Sequence, residues 1–536
     1  MKTENIKSSH RTTPGNNNSA DNIGVRNYFF IKPIKNRPEM DHTEIRIKNS
    51  MVEYVAIQAF ATFIPYILIF CMILWLTHGH FTYSLDDPYI HLALAKNIFH
   101  GNYGLNQGEF SSPSSSILWP FLLAPFAASE HFFEYTPLAI NLFCVTGLTH
   151  ITNDTFSDIK PIPRLIFIVI LFITTNIYGL AFTGMEHSLQ TLLTAIGVYP
   201  FLGNKLDKFK TMPLINLFAL ILLPLIRYEG LAITLPILGY IYFKNEKTKA
   251  IAATFIVAAS IISFSLFLKL NGQPLLPTSV LAHSAFGSIN PIIENVYKNL
   301  EVFGFFIFLS GLVVIGFWQK NRSWATVIAT ATTLQFLLGK CGWYGRYEVY
   351  IMIFVALTGI RLAIDLKSKI LPALLLIPFS AHNTIWPTVT TPIASSNIYN
   401  QQAQMANIAR RLGEPVAVND IGLVALRSGQ YTLDLWGLGS VVALNHRFHH
   451  DSPAWISGLM KQKNVKYAFV YEGWFDEKPD NWIKTGEIKL TQMKITPSRN
   501  FVTFYAVDKQ SAAILRSTLL EFSTHNQANH CQVTVL

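Results

Sequence analysis

Apolar runs approaching the thickness of a bilayer recur along this chain as far as residue 386 and stop at Pro387. A membrane-spanning helix needs about 17–25 predominantly apolar residues. Eleven stretches meet or approach that length: 52–77, 135–151, 164–182, 188–201, 214–226, 231–243, 250–270, 302–318, 324–338, 347–364 and 370–386. Half of the 536 residues are hydrophobic and only 14% are charged, so the expected fold is an α-helical polytopic membrane protein with about eleven spans. A further apolar run, 117–129, has 13 residues and two prolines, Pro120 and Pro125, and is expected to lie at the membrane interface without crossing.

Charge then orients the spans. A formal net charge of +10 would suit a nucleic-acid partner, but the basic residues concentrate in short connectors, so the expected partner is the lipid bilayer and no nucleic acid. The connectors NKLDKFK (204–210), FKNEKTK (243–249), WQKNR (318–322) and DLKSK (365–369) are cytoplasmic by the positive-inside rule. The alternate connectors, at 184–188, 227–230, 271–300 and 339–348, and all that follows Pro387, then face outward. This gives a disordered basic cytoplasmic tail (1–50), a membrane domain (51–387) with an outer loop at 79–133, and an extracytoplasmic domain (388–536), set in a cell inner (cytoplasmic) membrane. The run at 52–77 reads as an uncleaved signal anchor. The four cysteines, Cys71, Cys144, Cys341 and Cys531, have no metal-ligand spacing, and a Cys341–Cys531 disulfide would require both to face an oxidising space.

Beyond Pro387 the pattern is that of a soluble α/β domain. IYNQQAQMANIARRLG has helical spacing and a glycine stop, PVAVND and YTLDLW read as strands, and SPAWISGLMKQK opens a helix with Ser452 as N-cap and Pro453 at its first position. KYAFVYE and FVTFYAV read as further strands.

The threading puts Asp86, Asp87, Glu186, Arg227, Glu229, Lys340 and Arg346 on one outer face, and charge beside a span is costly enough to mark a functional candidate. Each also has a structural explanation. Asp87 precedes Pro88 and suits an N-cap; Glu186 and Glu229 suit helix N-termini; the cations can snorkel. His91, four residues after Asp87, is placed to orient it, and His283 is a further polar candidate. Carboxylates beside cations at a lipid interface suit group transfer from a phospholipid-like donor, in which a carboxylate takes the acceptor's proton and arginine holds the departing phosphate.

The order of motifs carries a resemblance. DDPYIHLALAKNIFHGNYGLNQGEFSSPSSSILWPFLLA, GMEHSLQTLL, RYEGLAI, NGQPLLPTSVLAHS, GRYEVYI and VAVNDIGLVALRSGQYTLDLWGLGS resemble, in that order over roughly 84–440, the GT-C superfamily of membrane glycosyltransferases, in particular the bacterial branch with mycobacterial terminal arabinofuranosyltransferases and mannosyltransferase-like relatives. The chain departs from that pattern at Tyr228, where proline is usual, at Ser279, and at His283, where lysine is common. The resemblance implies a polyprenyl-phosphate-linked sugar as donor, an extracytoplasmic acceptor (glycan, lipid or protein), inversion in one displacement, and a catalytic carboxylate in Asp86 or Asp87, with Asp86 favoured as base. It further implies phosphate contacts from Arg227, Arg346 and Lys340, support from His91, Glu186, Glu229 and His283, and acceptor-side loops bearing Asn419, Asp420 and Asp434. Some members bind a divalent cation; the neighbouring basic residues make one dispensable here. The rival readings are a transporter or flippase of lipid-linked glycans, which would place its polar groups near the bilayer midplane, and a membrane anchor for the soluble domain.

Overall fold

The computed structural model describes residues 42–207, 209–283, 289–367, 382–449, 451–475, 478–525 and 530–536. It divides into two compact units, Met1–Met51 and Val52–Leu536. The described residues of the first unit, 42–51, are helical; the rest of the expected tail lies outside the described residues.

The helices are α1 (His42–Leu76), α2 (Asp87–Phe99), α3 (Thr136–Thr155), α4 (Pro161–Thr174), α5 (His187–Val198), α6 (Leu214–Ile226), α7 (Leu231–Phe243), α8 (Lys247–Leu270), α9 (Ile289–Lys320), α10 (Arg322–Leu338), α11 (Val349–Asp365) and α12 (His382–Asn400). Two stretches are long and apolar enough to cross a membrane, Met51–Leu76 and Lys247–Leu270, or three if the bent pair Ile293–Glu301 and Phe306–Lys320 counts as one. The expectation of eleven spans is therefore not supported among the described residues, and most of the candidate at 370–386 lies outside them.

The physical reasons are local. Helices α6 and α7 have 13 residues each and internal prolines, Pro224 and Pro236; at about 1.5 Å per residue each covers roughly 20 Å of an apolar layer about 30 Å thick. The run at 164–182 is broken at Asn176, which takes φ 58° and donates its side-chain amide to the Tyr344 and Gly345 carbonyls. Helix α3 carries polar residues that bond to other segments of the protein, as when Asn141 donates its side-chain amide to the Ala181 and Met185 carbonyls. Helix α11 is buried along nearly its whole length, so its apolarity reflects position inside the bundle. Residues 117–129 form two short helical turns, Trp119–Leu123 and Ala124–Ala128, with Phe121, Leu122 and Phe126 exposed.

Helix α12 runs through the expected boundary at 387/388 and leads through α13 (Gln402–Leu412) into a six-stranded mixed sheet of order β2-β1-β3-β5-β4-β6. Strands β1 (Val416–Val418), β2 (Thr432–Asp434) and β3 (Tyr467–Val470) are parallel; β4 (Ile483–Leu490), β5 (Phe501–Ala506) and β6 (Cys531–Val535) continue antiparallel. A six-residue helix, α14 (Gly422–Arg427), follows β1. The helix Ala454–Gln462 has Pro453 at its N-cap and makes no side-chain cap, one residue later than the expected Ser452. None of the four cysteines is in a disulfide, so the Cys341–Cys531 bridge does not form.

The sheet domain docks on the segment between α2 and α3 of the helical region through side chains of both. Asn106 exchanges hydrogen bonds with the Thr432 backbone at 2.9 Å each, Lys463 pairs with Glu109 at 3.1 Å, and Arg427 forms an ion pair with Glu134.

Candidate functional site

The turn that carries the acidic pair is held rigidly. Ser84 N–H donates to the Phe182 carbonyl at 3.0 Å, Tyr83 N–H donates to the Tyr89 hydroxyl at 2.9 Å, and the Tyr83 hydroxyl donates to the Glu134 carbonyl at 2.7 Å. Gly184, at φ 68°, lies so close to Pro88 and Tyr83 that a Cβ there would sit 2.7 Å from each, which brings the Glu186 segment against the start of α2.

From this turn the two aspartates diverge. Asp86 occupies the N-cap position of α2 without capping it, so the cap expected of Asp87 falls one residue earlier and Asp87 is the first helical residue. The Asp86 side chain instead crosses to the sheet domain, where its two oxygens accept from the Gly422 and Leu423 amides at 2.6 and 2.9 Å. A Cβ on Gly422 would lie 2.1 Å from the Asp86 carbonyl oxygen, so only glycine fits. Burial and the neighbouring Asp420 push the Asp86 carboxyl well above its ordinary range, against the pull of the two amides. Asp420 is also raised, chiefly by burial; it accepts from Gln402 at 2.7 Å and Tyr471 at 3.1 Å.

Asp87 remains on the cavity side, 30% exposed, with Arg346 at 3.0 Å. Arg346 also donates to the Tyr347 hydroxyl at 3.0 Å, and its guanidinium lies 4.9 Å from that ring's centroid. Arg227 is saturated by comparison. It forks onto Glu229 at 2.7 and 3.2 Å and donates to Glu186 at 2.8 Å and to Ser115 at 3.2 Å. His91 is held by Ser114 and Glu186: its Nδ1 shares a hydrogen bond with the Ser114 hydroxyl at 3.1 Å and its Nε2 lies 3.8 Å from Glu186, while burial lowers its pKa and favours the neutral ring. Lys340 has no ion-pair partner among the described residues, and burial together with the nearby Lys298 depresses its pKa.

Two cavities meet at this cluster. One, of about 360 Å³, runs from Asp87, Arg227, Lys340 and Arg346 to an apolar wall of Leu231, Leu235, Leu276, Leu334 and Leu338, of which Leu235 and Leu338 are also exposed on the molecular surface. The other, of about 680 Å³, is bounded by Lys298, Trp343, Gln402, Asn419, Asp420, Trp436 and Trp474. Asp87, Lys340, Arg346, Tyr347 and Leu438 line both.

The structure thus gathers Asp87, Glu186, Arg227, Glu229, Lys340, Arg346 and His91 around one cavity, and Asp86, Asn419 and Asp420 around the other. Asp434 stands apart, accepting from the Trp436, Gly437 and Gly439 amides at 2.7, 3.0 and 2.6 Å and so shaping the loop after β2. His283 ends the short helix Thr278–His283, and its side chain lies outside the described residues. Among the described residues no three His, Cys, Asp or Glu side chains are grouped to hold a metal ion.

Sequence reasoning missed Tyr347, Lys298, Gln402, Trp436 and Trp474. Tyr347 adjoins Arg346 and could have been found from that; Lys298 sits in a stretch read as loop that is in fact the first part of α9.

Residues 396–505, about a fifth of the chain, match the model of a family described only as a domain of unknown function (DUF8728). No curated protein matches the chain. The matched segment contains Asn419, Asp420, Trp436 and Trp474.

Proposed function

We propose that this chain is a GT-C-type membrane glycosyltransferase that moves a sugar from a polyprenyl-phosphate donor to an acceptor on the outer face of a cytoplasmic membrane, in cell-envelope glycan biosynthesis. The observation that carries the reading is the junction: an apolar cavity and a polar, aromatic one share Asp87, Lys340, Arg346 and Tyr347. A lipid-linked donor needs an apolar channel for its tail ending at cations for its phosphate, and an acceptor needs a separate polar approach to the same point. The order of GT-C-like motifs in the sequence supports the same reading.

In this mechanism Asp87 is the base. Sequence resemblance favoured Asp86, but both Asp86 oxygens accept from main-chain amides whereas Asp87 faces both cavities. Asp87 takes the proton of the acceptor hydroxyl as its oxygen attacks the anomeric carbon. The bond from that carbon to the phosphate oxygen breaks with inversion, and the lipid monophosphate leaves onto Lys340 and Arg346. Arg227, held by two carboxylates, orders the cavity wall. No step requires a metal ion.

The test is mass spectrometry of surface glycans and lipid-linked sugars in a deletion strain complemented with wild type or Asp87→Asn. Loss of one sugar unit with accumulation of its lipid-linked precursor, restored by wild type alone, is expected. Rescue by the Asn variant removes Asp87 as base. Intact donor trapped on the inner leaflet would favour a flippase.

A further inference from the structure

Arg346, which pairs with Asp87 at the junction, follows a stretch of backbone that ordinary residues avoid. Gly342, Trp343, Tyr344 and Gly345 take φ values of 88°, 47°, 64° and 59°, so four consecutive residues lie in the left-handed region. Two of them are aromatic, and positive φ brings a Cβ too close to the carbonyl oxygen that follows it. Such a run persists only where its surroundings impose it. The turn sits between two cations of the junction: Lys340 lies two residues before it and Arg346 immediately after it, and both line the two cavities.

The surroundings pin the turn at three points. At its entry the Gly342 amide donates to the Glu348 carboxylate at 2.9 Å. In its middle the Tyr344 hydroxyl donates to the Pro387 carbonyl of α12 at 3.0 Å. At its exit the Asn176 side-chain amide donates to the Tyr344 and Gly345 carbonyls at 3.2 and 2.9 Å, and the second of these belongs to the peptide bond that leads into Arg346.

Asn176 is committed to that contact. It is buried, at φ 58°, in the break between α4 and the short helix Ile177–Ala181, and the Thr388 hydroxyl donates to its side-chain oxygen at 3.0 Å, which leaves the amide nitrogen facing the turn. Gly179 makes the room, since a Cβ there would lie 2.3 Å from the Asn176 oxygen. Breaking a helix needs only the left-handed backbone, which glycine supplies as well; the amide serves the turn. Relaxation of any of the four residues to negative φ would swing the chain that follows and re-aim Arg346.

We infer that Asn176 is a positioning residue for the lipid phosphate: by holding the Tyr344 and Gly345 carbonyls it maintains the left-handed turn, and through the turn it fixes the Arg346 guanidinium beside Asp87. The phosphate rests on the glycosyltransferase reading; the dependence of the turn on Asn176 does not.

The experiment uses the full-length protein in lipid nanodiscs, with undecaprenyl monophosphate and undecaprenol as probes, read by native mass spectrometry for affinity and by phosphorus NMR for the monoester resonance. Wild type is expected to bind the phosphate-bearing lipid more tightly than the alcohol. Arg346→Gln should weaken phosphate-lipid binding by about 10–100-fold, the scale of a charge-assisted hydrogen bond, and Asn176→Gly, which keeps the left-handed backbone but removes the amide, by roughly tenfold with a shifted phosphorus resonance. Asn176→Asp, similar in size but without N–H donors, should match the glycine variant. None of the three should change undecaprenol binding, which a general loss of fold would. In the Asn176→Gly background, Trp343→Gly removes one left-handed aromatic residue and should restore part of the affinity. Asn176 variants that bind the phosphate lipid as wild type does, or that lose both lipids equally, overturn the inference and leave the glycosyltransferase reading standing. A wild type that does not prefer phosphate to alcohol defeats that reading and the role given to Asn176 in phosphate binding together. The turn is judged separately by thermal unfolding: Trp343→Gly should unfold no lower than wild type and the β-branched Trp343→Val clearly lower, and the reverse order overturns the inference whatever binds.

Discussion

On one side of the Asp87–Arg346 pair the wall is Leu231, Leu235, Leu276, Leu334 and Leu338; on the other it is Gln402, Asn419, Trp436 and Trp474. The first wall comes from helices and their connectors, the second from the ends of parallel strands and the start of α13. Neither region could assemble this junction alone: the helical region supplies Asp87, Lys340 and Arg346 but no second polar approach, and the sheet domain supplies hydrogen-bonding groups but, among the described residues, no lysine or arginine lining either cavity. The contrast locates the proposed chemistry at the seam, and it can be broken by changing one side at a time.

The largest effect is expected at the seam itself. Asp87→Asn removes the proton acceptor and should lower kcat by about 10²–10⁴-fold with little change in KM for either substrate. Asp86→Asn should leave a smaller defect. If purified Asp86→Asn proves the more damaged of the two in kcat, the roles assigned to the pair are reversed.

The next effect separates two cations that the sequence could not rank. Removing Lys340, which has no carboxylate partner among the described residues, should weaken donor binding by roughly 10–100-fold, the scale of one charge-assisted hydrogen bond, with little loss of stability. Arg227→Met should do the opposite. It leaves Glu186 fully buried, and the half-buried Glu229, without their partner, and breaking a buried pair such as Arg227–Glu186 costs about 3–5 kcal/mol. Thermal unfolding and donor KM, measured on both variants, decide this; equal melting temperatures would remove the structural role given to Arg227.

Much of the helical side was legible because a charge beside an apolar run is rare enough to notice, as with Asp87, Glu186, Arg227 and Arg346. The number of spans was not legible. Hydropathy cannot separate a helix facing lipid from one such as α11 that is enclosed by its own protein, nor register that Asn176 splits one run in two. Strands β1, β2, β3 and β5 were readable from β-branched and aromatic runs. Strand β4, IKTGEIKL, has a register shift between Lys484 and Gly486 and no clean alternation, and β6 is a half-exposed edge. Trp436 and Trp474 were hidden for a topological reason: what brings them together is the parallel register of β2, β1 and β3, which no local window contains, and Gln402, the first residue of α13, joins them through its hydrogen bonds to Asp420 and Tyr471.

A smaller effect tests how the two regions are joined. Gly422→Ala touches neither cavity, yet its Cβ would meet the Asp86 carbonyl oxygen at 2.1 Å. Forcing that contact apart should cost about 1–3 kcal/mol, felt as faster hydrogen exchange at residues 422–427 and a lower kcat. Because the same contact is broken, combining it with Asp86→Ala should add little. Additive losses would mean that Asp86 does more than hold the sheet domain in place.

The smallest effect is the pH dependence of the same joint. Burial raises the carboxyls of both Asp86 and Asp420 above their ordinary range, so the docked state retains protons that the unfolded chain has released. With more protons bound in the folded state, stability falls as pH rises, starting just above the unfolded carboxylate pKa of about 4 and continuing until the folded carboxyls have titrated. The two amides facing Asp86, and Gln402 and Tyr471 facing Asp420, favour the ionised forms and limit the slope. Hydrogen exchange at Gly422 and Leu423, corrected for its intrinsic base catalysis, should therefore show weaker protection as pH is raised from 4, and Asp420→Asn should flatten the trend. Protection that strengthens with pH over this interval would mean that the pair is held ionised at the joint, with the main-chain amides outweighing both burial and mutual repulsion.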